Sequence, residues 1–208
     1  MIIAEIGTNF NGNLTLAKWL IGLAKKNGAD LVKFQLYDVG SLDRSPEILK
    51  LLKQSELSFD HAKMLFEHGI EIGIEVFFSV FDVERVEWCE KIGVKRYKMA
   101  CSMFGEWKLF SQILDTGKPL IASCNGLFPI RPQNKDVSWL YCPANYPQHD
   151  LGLSLIDFDS DIKGFSDHTI GLDAAKIALA RGAQIIEKHF AIDHQTGIDA
   201  SWSMTSGE

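Results

Sequence analysis

The most constraining feature of the chain is a unit that recurs along it without sequence identity: an amphipathic helical stretch, a glycine near its end, a short apolar run, and polar residues where that run stops. The stretch LTLAKWLIGLAKKN, residues 14–27, puts Leu16, Leu20, Leu23 and Ala24 on one helical face, stops at Gly28 and leads into LVKFQ. By the same pattern FDHAKMLFEH stops at Gly69 before IGIEVFFS, VERVEWCEKI at Gly93 before KRYKMA, FSQILDT at Gly117 before PLIAS, and LDAAKIALAR at Gly182 before QIIEKHF. With IIAEI, SWLYC and DIKGFS the apolar runs number eight. Eight strands alternating with helices predict an α/β fold, a (β/α)8 TIM barrel, in which functional groups gather at the carboxyl ends of the strands. A doubly wound open sheet of fewer strands is the alternative. Two places depart from a full barrel. CNGLFPIRPQNKDV contains Pro129 and Pro132 and no helical period, so a loop is expected in place of the fifth helix, and SWSMTSGE stands where an eighth helix would begin. The barrel is therefore expected to be shortened, as a single domain over residues 1–208, at the low end of the ~200 to 400 residues of such folds.

If the barrel forms, the polar strand endings share one mouth. They are Glu5, Lys33 and Gln35, Ser79, Lys98, Ser123, the triplet Ser166, Asp167 and His168, and the triplet Glu187, Lys188 and His189. His168 and His189 end consecutive strands, and neighbouring strands lie ~5 Å apart, so both imidazoles are able to meet one divalent cation and leave its other positions open. The alternative for each is a hydrogen-bonded packing histidine. Lys33 and Lys98 end runs that are otherwise apolar and must find an anion or solvent. With Ser123 and Ser166 they suggest a cradle for a phosphate and a carboxylate, while salt bridges to Glu5 or Glu187 are the structural alternative. Asn9, Asn11, Gly12 and Asn13 form a polar loop suited to substrate contact or to a turn and helix cap.

Charge and composition narrow the partner. The net charge is -6 with no run of Lys or Arg, which excludes the electrostatic footprint of a nucleic-acid or anionic-membrane binder and favours a small molecule. No segment approaches the ~20 apolar residues of a membrane span, and the start MIIAEIGTNF carries Glu5 in its apolar stretch, so a cytoplasmic protein is expected. Cys89, Cys101, Cys124 and Cys142 show no CxxC spacing and are expected as free thiols, buried or lining a pocket.

Nine ordered blocks then become familiar: AEIGTNFNG, GADLVKFQ, FFSVFD, YKMACS, GKPLIAS, CPANYP, GFSDHTIG, GAQIIEKHF and the GID at 197–199. Together they resemble the sialic acid synthase (N-acetylneuraminate synthase) family, enzymes that condense phosphoenolpyruvate with an N-acetylated amino sugar such as N-acetylmannosamine to give a nonulosonic acid and phosphate. The resemblance implies a (β/α)8 barrel and a divalent cation, Mn²⁺ or Mg²⁺, on His168 and His189. It implies phosphoenolpyruvate on Lys33, Lys98, Ser123 and Ser166, the sugar near Gln35, Tyr146 and Asp199, and catalytic roles for Glu5, Lys33 and Lys98. There are departures. Val80 stands where the family usually has a Thr, Cys101 and Met103 where it has a Ser and a Glu, and Ala144 where it has an Asn or Ser. A Met neither takes nor gives a proton. The carboxyl-terminal antifreeze-like domain of many members, which lends an Arg to a partner subunit's sugar site, is not expected within these residues. A homodimer is expected to cover barrel surface left open at the fifth and eighth helix positions. A non-catalytic relative that binds metal and anion, or another metal-dependent aldolase or isomerase on the same fold, are the rival functions.

Overall fold

The computed structural model describes residues 1–125, 136–143, 147–148, 157–158 and 161–208. Strands β1 (Ile2–Gly7), β2 (Leu31–Leu36), β3 (Glu75–Val80), β4 (Tyr97–Met99), β5 (Leu120–Cys124), β6 (Val137–Tyr141), β7 (Ile162–Asp167) and β8 (Ile185–His189) pair in sequence order, all in parallel, and β8 returns to β1. The closed barrel removes the open-sheet alternative. Helices α1 (Leu14–Lys26), α2 (Pro46–Gln54), α3 (Phe59–Ile72), α4 (Val83–Ile92), α5 (Trp107–Asp115) and α6 (Asp173–Ala180) lie between strands. The expected loop in place of a fifth helix falls on residues 126–135, outside the described residues. After β8 the chain makes a 3-10 turn, Ala200–Trp202, and a bridge from Phe190 to Met204.

Local chemistry sets the helix ends. Asn13 accepts from the backbone N–H of Thr15 and Leu16 at the start of α1, and Asp82 accepts from Arg85 N–H at the start of α4. The expected stop at Gly69 is corrected: α3 runs on to Ile72 and is closed by Gly73 in the left-handed region, φ 74°. Gly69 serves packing instead, since a Cβ there would sit 2.5 Å from Val76 Cγ2 and 2.8 Å from Ile74 O. Its bare backbone lets α3 lie close on β3. The sequence reading also missed α2, a nine-residue helix opened by Ser45 and Pro46 that buries no side chain.

Strand alternation divides the barrel into an inside and an outside. Outward residues such as Ala4, Val32, Phe34, Val76, Phe78, Val80 and Ala122 join Leu20, Ile21, Leu65 and Ile113 of the helices in the main core. Inward, Ile3, Leu31, Phe77, Ile121, Leu140 and Ile185 make a separate apolar floor. Gly164 completes that floor, because a Cβ on it would meet Ile185 O at 2.1 Å. Two residues further along β1, β2, β3, β5, β7 and β8, the inward positions turn polar.

Candidate active site

Directly above the apolar floor, the barrel strands present Glu5, Lys33, Lys98, Ser123, Ser166, Glu187 and, one inward step higher, His168 and His189. These groups line one cavity of about 270 Å³, together with Gln35 and Asp199. These ten residues, all singled out from sequence, thus share a single space. Tyr146 and the departure Ala144 lie outside the described residues.

Two lysines organise the polar layer. Lys33 Nζ lies 2.9 Å from Glu5 Oε2 and 3.7 Å from Glu187 Oε2 and donates to Ser79 Oγ at 2.6 Å. Lys98 Nζ lies 3.6 Å from Glu187 Oε1 and donates to Ser123 Oγ at 2.7 Å and to Met99 O at 3.1 Å. Ser166 donates to Glu187 Oε1 at 2.9 Å, and Gln35 Nε2 to Glu5 Oε1 at 2.8 Å. The salt bridges weighed as the structural alternative for the lysines are therefore present, and they face the cavity.

The four charges are unequally compensated. Burial pushes the Glu187 carboxyl up, but Lys33, Lys98 and the Ser166 hydrogen bond outweigh it and hold it at about 2. Glu5 goes the other way: burial raises it above the ordinary carboxylate value despite Lys33. Burial pulls Lys33 down, yet Glu187 and Glu5 together raise it. For Lys98 burial wins, offset in part by Glu187, so its ammonium is the less stabilised cation and stands to gain most from an anion in the cavity.

The two imidazoles sit above this layer with ring centroids 5.4 Å apart and planes tilted by 48°. His189 Nδ1 is buried without a hydrogen-bond partner among the described residues, 3.6 Å from Asp199 Oδ2, and burial pushes the ring below its ordinary value. His168 Nδ1 lies 3.8 Å from Cys142 Sγ. Two imidazoles at this separation fit a shared divalent cation. Among the described residues no group of three His, Cys, Asp or Glu side chains is arranged to hold a metal. A cation here would have two protein nitrogens and positions left for substrate and water.

The middle residues of the two triplets explain how the histidines are held. Alternation turns Asp167 and Lys188 outward, where they pair at 3.1 Å behind the site. Asp167 Oδ1 accepts from Thr169 N–H and Oγ1–H at 2.8 and 2.7 Å, and Lys188 donates to Thr169 O at 2.5 Å. Asp199 is placed by the chain after β8. Asn9 donates to Phe190 O and Ser203 Oγ, and Gly197, at φ 113°, lies where a Cβ would come within 2.6 Å of Asn9 Cα. The asparagine loop is thus a brace and a cap rather than a row of cavity-lining groups.

Two departures change meaning in the structure. Val80 is fully buried in the outer core, and the hydroxyl that β3 turns into the cavity belongs to Ser79, which the sequence reading noted as a strand end but gave no role. Met103 packs against the main core and borders a separate crevice with Asp38, Ser41 and Glu106. The proton-inert side chain is therefore not in the cavity wall, which Cys101 and Ser102 form at that turn. Also unforeseen is the outer wall: Leu42, Arg44, Ile48 and Leu52, from the segment of α2, close one side of the mouth with Tyr37 and Phe81. Ile48, Leu49, Leu51 and Leu52 recur at helical spacing, the signal from which α2 could have been found.

Known proteins resemble this arrangement throughout. Residues 20–208 match the family described as the NeuB family. The chain is 34% identical, over 92% of its length, to an uncharacterized protein of Methanocaldococcus jannaschii, and 31% identical over 92% to an N,N'-diacetyllegionaminic acid synthase of Legionella pneumophila. It spans 62% and 64% of the lengths of those relatives. The crystal structure of an N-acetylneuraminic acid (sialic acid) synthetase from Leptospira borgpetersenii, in complex with citrate, superposes with a TM-score of 0.91 at 28% identity, over all of this chain and 79% of that one.

Proposed function

We propose, from the premise that this chain belongs to the NeuB family, that its cavity binds phosphoenolpyruvate and an N-acetylated amino sugar and joins them into a 2-keto sugar acid. The observation that carries the reading is the inward lysine pair: two buried ammonium groups, each bonded to a hydroxyl, in one cavity with two imidazoles. Phosphoenolpyruvate brings a phosphate and a carboxylate, and Lys33 and Lys98 with Ser123 and Ser166 supply charge-assisted donors for both ends. Lys98, the less compensated cation, gains the most from that anion.

With the enolpyruvate fixed over the apolar floor, its C3 bonds to the aldehyde carbon of the sugar held beside it. Gln35 and Asp199 stand on the sugar side of the cavity, and Glu5, its carboxyl raised by burial, is placed to hold a proton near the reacting centre. Water adds at C2, the C–O bond to phosphate breaks, and inorganic phosphate leaves, so that phosphoenolpyruvate, sugar and water balance keto acid and phosphate. A divalent cation on His168 and His189 would supply polarisation of the sugar carbonyl. No helix among the described residues is long and apolar enough to cross a membrane, in keeping with water-soluble substrates.

Phosphate release tests the reading. Protein incubated with phosphoenolpyruvate, Mn²⁺ and a panel of N-acetylated amino sugars is expected to release phosphate only when a suitable sugar is present. Release with none of the sugars, despite phosphoenolpyruvate binding, would leave a binding module in place of a synthase.

A further inference from the structure

The three serines of the polar layer differ in where their protons go. The partners of Lys33 (Glu5, Glu187 and Ser79) match the three N–H bonds of its ammonium, and so do those of Lys98, which are Glu187, Ser123 and Met99 O. An ammonium only donates. Ser79 Oγ therefore accepts from Lys33 at 2.6 Å and Ser123 Oγ from Lys98 at 2.7 Å, and each hydroxyl keeps its own proton, for which the described residues offer no acceptor. Ser166 is different. An ionised carboxylate only accepts, so Ser166 spends its proton on Glu187 Oε1 at 2.9 Å. Within the polar layer, the unspent hydroxyl protons belong to Ser79 and Ser123.

The place of Ser79 in the barrel fits a ligand between the two lysines. On β3 its Cα is in register with Gln35 of β2 on one side and with Lys98 of β4 on the other, and the residue is 1% exposed in the cavity wall. The next residue, Val80, turns the opposite way into the outer core. We propose that Ser79 is a further phosphoenolpyruvate-binding residue. Lys33 with Ser79 forms one ammonium–hydroxyl couple, Lys98 with Ser123 forms the other, and each couple takes one of the two anionic ends of the ligand.

Contact through the hydroxyls solves a problem of compensation. If Lys33 turned from Glu5 or Glu187 to reach the ligand, it would leave a buried carboxylate unpaired, which is costly. Ser79 reaches the anion with that pairing intact, its O–H polarised by the ammonium it accepts from. The assignment rests on the reading of the cavity as a phosphoenolpyruvate site.

The test titrates phosphoenolpyruvate into wild-type protein and variants by calorimetry, with Mn²⁺ and no sugar, and then repeats the titration against inorganic phosphate or pyruvate as single competitors. Ser79→Ala leaves Lys33 on Glu5 and Glu187, so cooperative unfolding should persist. Its affinity for phosphoenolpyruvate should fall by about 10-fold, and only one of the two competitors should weaken with it. Ser123→Ala should lose a similar factor and weaken the other competitor. Ser79→Cys, nearly the same shape with a weak donor, should repeat the Ser79→Ala result and replaces it if the alanine variant does not fold. Val80→Thr should bind as the wild type does, and added to Ser79→Ala it should restore nothing. Wild-type affinity in the Ser79 variants, loss of the same competitor in both serine variants, or rescue by Val80→Thr would overturn the assignment while leaving the cavity a phosphoenolpyruvate site. A wild type that binds no phosphoenolpyruvate would reject the functional reading and the assignment with it.

Discussion

Two clusters of buried charge lie on opposite faces of the same barrel wall, and they do different things. The inward cluster sets Lys33 and Lys98 against Glu5 and Glu187, with hydroxyls from three strands, around a cavity. The outward pair, Asp167 with Lys188, makes its other hydrogen bonds to one neighbouring residue, Thr169. Both occur in the sequence as polar strand endings, and only the side each faces separates them. Within the triplets Ser-Asp-His and Glu-Lys-His, the outer members enter the cavity and the middle members join β7 to β8 behind it. A buried ion pair that borders a cavity is available to a ligand; one that closes on its own strands fixes geometry.

That contrast breaks if the outward pair proves dispensable. Lys188→Met leaves Asp167 charged and unpaired, and unfolding in urea should show a loss of about 3–5 kcal/mol. Phosphoenolpyruvate affinity per folded molecule should be unchanged, and the double variant Asp167→Asn with Lys188→Met should recover most of the stability. The inward cluster predicts the reverse pattern. Lys98→Met removes a charge-assisted donor and should weaken phosphoenolpyruvate binding by about 100-fold in a calorimetric titration, with the fold retained by circular dichroism. Equal losses of affinity from the two lysine variants would erase the distinction. A smaller effect sharpens it from below. Gly164→Ala places a methyl 2.1 Å from Ile185 O in the floor under the polar layer, so stability should drop by about 1–3 kcal/mol in the same urea assay, without the selective loss of affinity that Lys98→Met produces.

The barrel and most of its cavity were legible because they rest on short-range periodicities. Apolar runs with polar ends mark strands, and alternation by two places Glu5, Lys33, Lys98, Ser123, Ser166, His168 and His189 on one surface once the barrel closes. What sequence did not yield depends on contacts between distant segments. Gly69 reads as a helix stop, yet its value is the close approach of α3 to β3, and the stop lies four residues later at Gly73. Helix α2 is the exception: Ile48, Leu49, Leu51 and Leu52 give it an apolar stripe at helical spacing, which stays partly exposed and walls the mouth. Val80 and Met103 look like losses from an active site when aligned by motif. Their facing in the fold puts both in the outer packing, with Ser79 turned to the cavity. The brace of Asn9 against Gly197 and Ser203 joins the two ends of the chain, nearly two hundred residues apart.

The central claim is that the inward lysines form a cradle for a doubly anionic enol ester, independent of the sugar. Titrating phosphoenolpyruvate into the reduced protein, with Mn²⁺ and without any sugar, tests it most directly. Saturable binding at one site per chain, competed by inorganic phosphate and pyruvate together, is the result expected. No binding at millimolar phosphoenolpyruvate, in protein that unfolds cooperatively, would contradict it and return Lys33 and Lys98 to the same purely structural role as Lys188.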